Sequence, residues 1–120
     1  MDELIERLVT TVGIDRATAE KAIGIILEFL RKEGPVDKVQ ALIDSMPGAE
    51  PLIDAAAAQG SGLFAMGGIM GAGSKLMGAG LSMGQVQAVT KEIIAYTREK
   101  IGDDALGDIV GAIPGLSQFI

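Results

Sequence analysis

The chain has 120 residues and a mass of 12.4 kDa, which is enough for one domain. Ten basic side chains stand against 16 acidic ones, so the net charge is −6 and a partner bound by neutralising nucleic-acid phosphates is not expected. There is no His, Cys or Trp, which removes imidazole bases, thiolate nucleophiles, Cys/His zinc sites, axial haem histidines and disulfides.

The first segment, Asp2–Val12, places Leu4, Ile5, Leu8, Val9 and Val12 on one side of an amphipathic helix. Its acidic start is unlike a signal peptide, so the expected location is the cytoplasm. Asp15 then caps a longer helix whose apolar positions are Ala19, Ala22, Ile23, Ile26, Leu27 and Leu30. Gly34-Pro35 ends it, with glycine suited to a left-handed C-terminal position and proline unable to continue the helix. Asp37 opens a shorter helix on Val39, Leu42, Ile43 and Met46, and Pro47-Gly48 breaks the chain again. Helix resumes over Ala49–Ala58, with Pro51 in its first turn.

Beyond a Gly/Met-rich stretch, Ser82-Met83-Gly84-Gln85 forms a capping-box pattern. The helix it starts carries Val86, Val89, Ile93, Ile94 and Thr97 and runs to Ile101-Gly102. A last short helix follows on Leu106, Ile109, Val110 and Ile113. No stretch alternates with a period of two, so no sheet is expected.

An internal repeat organises these elements. Shifted by 67 residues, 13–53 falls on 80–120 without a gap. Gly13/Gly80, Ile26/Ile93, Arg31/Arg98, Asp37/Asp104, Pro47/Pro114, Gly48/Gly115 and Ile53/Ile120 are identical. Pairs such as Leu27/Ile94, Phe29/Tyr96, Val39/Leu106, Leu42/Ile109 and Met46/Ile113 agree in apolar character. The expected architecture is therefore an all-α bundle in a single domain, residues 1–120. Two pseudo-symmetric helix-turn-helix repeats, about 13–53 and about 80–120, are joined by a Gly/Met-rich connector at about 60–80. Residues 15–53 and 82–120 should superpose about an approximate two-fold, and Gly48 and Gly115 should end the short helices in one strained geometry.

Residues 60–84 hold nine of the 17 glycines together with Met66, Met70, Met77 and Met83. Each interior glycine costs a helix about 0.5–1 kcal/mol relative to alanine, so the composition needs a reason. Three readings stand: a tightly packed central element, an apolar interaction surface, or a membrane contact. Small-xxx-small spacings such as Gly67-xxx-Gly71 suit the last, but the uncharged apolar-or-glycine run Gly62–Gly73 is shorter than the roughly 18–20 residues of a span. Gly68–Lys75, G-I-M-G-A-G-S-K, imitates a phosphate-binding loop with its final Lys and Ser inverted and no strand before it, so no nucleotide cofactor is expected.

No catalytic or metal-binding constellation emerges. Asp103, Asp104 and Asp108 read as charges favoured at a helix start, without the spacing or terminal Glu of a calcium loop. Arg31 and Arg98 complement helix C-termini, while Glu3/Arg7 and Glu28/Lys32 read as surface pairs.

Three motifs recur in both halves: Gly-[Ile/Leu]-[Asp/Ser] at 13–15 and 80–82, the run A-x-x-[A/V]-x-x-x-I-[I/L]-x-[F/Y]-x-R, whose opening Ala19 is Val86 in the second half, and the closing [Met/Ile]-Pro-Gly. In these the sequence resembles two small bacterial families, the domains of unknown function 2267 and 2780. The resemblance covers both repeats and not the Gly/Met stretch, and it implies a bacterial all-helical bundle with no activity to carry over. The expected function is non-enzymatic self-association, or binding of a protein partner, through an apolar surface at Phe64, Met66, Ile69, Met70 and Met77, with no cofactor. The alternative is a peripheral membrane or lipid-binding protein using the same segment.

Overall fold

The computed structural model describes residues 2–59 and 68–113. These described residues form six helices in chain order: α1 (Asp2–Val12), α2 (Arg16–Glu33), α3 (Val36–Asp44), α4 (Ala49–Gln59), α5 (Gly68–Gly78) and α6 (Met83–Ala112). The described residues contain no strand, and the fold is all-α. Gly115 and the rest of the second Pro-Gly segment lie outside the described residues.

Helix α2 occupies the centre and touches each of the other five helices. The Asp15 side chain accepts a hydrogen bond from the Thr18 N–H at 3.1 Å and closes the helix start. The whole apolar stripe of α2 is buried, and so are Gly24, Ile25 and Phe29 beside it. A helix buried beyond one stripe needs a second cover, and α4 supplies it. A methyl group built on Gly24 would collide with the carbonyl oxygen of Leu52 and lie 2.9 Å from its carbon, so α4 rests on the bare backbone of α2. The close helix approach falls at Gly24. At Gly73 and Gly78 of α5, nothing lies within 4 Å of such a methyl group. The described end of the Gly/Met stretch is a helix that packs against α2 and α6, with Leu76 in the core.

Three local expectations need correction. Gly34 sits at φ −93°, ψ 178°, outside the left-handed region, because the following proline holds it extended. Its lack of a side chain matters for space: a methyl group there would come within 2.7 Å of the Leu30 carbonyl oxygen. Helix α3 opens at Val36 behind Pro35, with Asp37 inside its first turn. Glu28, expected as a surface partner of Lys32, meets the Lys75 ammonium at 3.6 Å with only 15% of its side chain exposed, tying α5 to α2. At Gly102 (φ 88°) α6 breaks into two helical parts that abut without a loop.

Gly48 has φ 94° in the turn after α3, where Ala49 N–H donates to Met46 O at 3.1 Å. A β-branched residue is strained there, so Gly48→Val should lower stability by about 1–2 kcal/mol, read as a fall in the urea midpoint. An unchanged midpoint would mean that the turn adapts without strain.

Helix α1 is fastened to α6 by Arg7. Its guanidinium donates to both Glu99 oxygens, at 2.7 and 2.9 Å, and lies 5.5 Å from the centre of the Tyr96 ring. The hydrogen bond from Arg7 holds the Glu99 carboxyl below its ordinary value of 4.5, and hydrogen bonds from Thr18 hold Asp15 below its ordinary 3.8. Both folded-state values are depressed, so both groups stabilise the fold above those ordinary values and lose that effect as pH falls through the lowered ones. Stability should therefore decline on acidification from about pH 5 to about pH 3, and the decline should be shallower in Glu99→Gln. Parallel midpoint-against-pH curves for the two proteins would contradict it.

Candidate functional site

The corner between α5 and α6 is built by two interlocking end motifs. At the end of α5, Gly80 (φ 106°) lets the chain reverse. Gly80 N–H donates to Met77 O at 3.1 Å and Leu81 N–H to Leu76 O at 3.3 Å, the double closure of a Schellman motif. Leu76 and Leu81, the two positions whose apolar side chains accompany such a closure, are both buried. One residue later Ser82 caps α6: its hydroxyl oxygen accepts from Gln85 N–H at 3.3 Å, and the Gln85 side chain accepts from Ser82 N–H at 3.0 Å. The corner is thus fixed in direction by backbone hydrogen bonds and by two buried leucines.

The same geometry turns two methionines outward. Met77, in the last turn of α5, is 49% exposed, and Met83, the first residue of α6, is 66% exposed. Between Lys75 and Lys91 no charged residue interrupts the sequence. Lys75 is drawn inward to Glu28, with both side chains at least three-quarters covered. Of the surface expected from sequence, Met77 is therefore at the protein surface. Phe64 and Met66 lie outside the described residues, and Ile69 and Met70 belong to α5 with side chains outside them. Met83 was not among the expected surface residues. Its signal was its place directly after the cap Ser82, one turn ahead of the first buried position, Val86.

Other surface features carry less chemistry. A shallow groove of about 590 Å³ runs beside Leu106, Gly107, Val110 and Gly111. The charged groups at its rim, Arg98 and Asp103, are engaged with each other at 2.8 Å. A smaller recess of about 250 Å³ between α2 and α4 is floored by Ile25, Leu52 and Ala56. Arg31, 67 positions before Arg98, meets Glu50 at 3.6 Å, and Asp108 meets Lys38 at 3.1 Å. The buried hydroxyls of Thr90 and Thr97 donate to Val86 O and Ile93 O, each at 2.8 Å. The segment 68–75, which imitates a phosphate loop, is helical.

Among the described residues, no group of His, Cys, Asp and Glu is placed to hold a metal ion, and no helix is long and apolar enough to cross a membrane. A scan against protein-family models and searches of curated proteins and of solved structures find no match to this chain.

Proposed function

We propose that this chain is a non-enzymatic helical module that self-associates through the apolar α5–α6 corner, with Met77 and Met83 at the contact. The observation that carries this reading is the pair of exposed methionines on a corner whose backbone is locked at both helix ends. Contiguous exposed apolar surface marks association sites, and these two methionines flank one uncharged stretch of sequence. Methionine suits such a surface because its thioether side chain adapts to the shape it meets. A preordered corner also loses little conformational freedom on binding. A second copy of the chain is the favoured partner over an anionic membrane, since the net charge is −6.

Sedimentation velocity over a concentration series tests this reading. The parent chain should associate, and the double change Met77→Asp, Met83→Asp should shift it toward monomer with its helical circular dichroism intact. A parent chain that stays monomeric at high concentration overturns self-association. Binding of that monomer to neutral phospholipid vesicles would select the lipid-surface alternative.

The same reading includes an origin in two related helical hairpins. Its support is local and paired at an offset of 67 residues. Asp15 (φ −78°, ψ 167°) and Ser82 (φ −78°, ψ 168°) cap α2 and α6 in one geometry, each accepting from the N–H three residues on. Gly13 and Gly80 both have positive φ. Ile26 and Ile93, Leu27 and Ile94, and Leu42 and Ile109 are buried in both halves. Helix α1 packs on α6 while α5 packs on α2, as exchange of two halves requires. Helix α4 has no counterpart among the described residues, and Lys91, the partner of Gly24, is exposed. In a crystal structure, 15–46 should superpose on 82–113 about an approximate two-fold. Unrelated crossing angles in the two halves would overturn the shared origin.

A further inference from the structure

We propose that Met77 and Met83 make the corner a redox-sensitive surface: their oxidation to sulfoxides by a hydroperoxide disrupts the association. The inference rests on the corner's being the self-association surface, and its chemistry follows from how unequally the methionines are exposed. Met77 and Met83 are 49% and 66% exposed, whereas Met46 is 1% exposed inside the core. A thioether lone pair attacks one peroxide oxygen, the S–O bond forms as the O–O bond breaks, and the proton passes to the departing oxygen, which leaves as water or an alcohol. Sulfur is oxidised by two electrons and the peroxide is reduced by two. The oxidant must reach sulfur, so the two corner methionines react and Met46 is shielded as long as the fold persists.

The product is incompatible with a dry contact. A sulfoxide carries a strong dipole and an acceptor oxygen, and covering such a group without a hydrogen-bond donor is unfavourable. The segment that forms the corner, residues 76–90, carries no charged side chain of its own to satisfy it. Lys75 is turned toward Glu28, and the next charged residue in sequence is Lys91, on the third turn of α6. Oxidation therefore converts an apolar contact into a polar one at two exposed side chains while leaving the Schellman and capping hydrogen bonds untouched, and methionine sulfoxide reductases can reverse it.

The test uses the full chain treated with hydrogen peroxide, followed by peptide mass mapping and sedimentation velocity. Met77 and Met83 should gain oxygen roughly tenfold faster than Met46. Association should weaken by roughly tenfold or more and recover after treatment with methionine sulfoxide reductases. The double variant Met77→Leu, Met83→Leu keeps an apolar corner, so it should associate and remain associated in peroxide. Equal oxidation of Met46, association that survives oxidation of Met77 and Met83, or a leucine variant that dissociates in peroxide as the parent does would each overturn the proposal. An untreated chain that never associates overturns both this inference and the self-association reading. An untreated chain that associates and ignores oxidation overturns this inference alone.

Discussion

Gly24→Ala is expected to destabilise the protein by about 2–3 kcal/mol, although the same change in an open helix stabilises it. The added methyl group would clash with the Leu52 carbonyl oxygen, and the Ala56 methyl lies 3.4 Å from it. The obstacle is backbone, not the tip of a flexible side chain, so α4 as a whole must move away from α2. That displacement loosens the contacts of Ala49, Ile53 and Ala56, which are now buried. For a chain of this size the thermal midpoint should fall by about 10 °C. Gly73→Ala provides the control of opposite sign. Nothing lies within 4 Å of its added methyl group, so relief of the glycine entropy in α5 should raise stability by about 0.5–1 kcal/mol. If Gly24→Ala proves as stabilising as Gly73→Ala, α4 does not rest on α2 at that point.

Leu27→Ala should have the largest effect of any single truncation considered, about 3–5 kcal/mol in urea unfolding. Leu27 is fully buried on the helix that touches all the others, so the vacated volume has walls on several sides that cannot all collapse together. Ile94, 67 positions further on, is 3% exposed on α6, a helix with one face open to solvent. Ile94→Val removes one methylene from that more forgiving site and should cost about 1 kcal/mol. A loss below about 1 kcal/mol for Leu27→Ala would show that α2 is not the centre of the bundle.

The helices themselves were legible in the sequence because their signals are local. Periodic apolar residues gave α1, α2 and α3, and the bounds Asp2–Val12 agree with the structure. The capping roles of Asp15 and of Ser82 with Gln85 were also readable, since each needs only a few adjacent residues in the right order. The helical end of the Gly/Met stretch was less legible. Glycine propensity argues against helix there, while the anchoring of α5 comes from Leu76 in the core and from the Lys75–Glu28 pair, a contact 47 positions apart in sequence.

What the sequence determined by itself was therefore the all-α class, most helix starts and stops, and the stripes that would be buried, all consequences of spacing along one chain segment. Tertiary structure decided which helix stands at the centre. Gly24 and Ile25 look unremarkable or misplaced on an amphipathic wheel, and their meaning appears only when α4 lies across them. It also decided that Gly34 serves space rather than a left-handed turn, and that Glu28 pairs with Lys75 in place of Lys32. The exposure of Met77 and Met83 belongs to the same class. A methionine is equally at home in a core or on a surface, and the direction it faces was set by the closure of α5 onto α6 and not by its own chemistry.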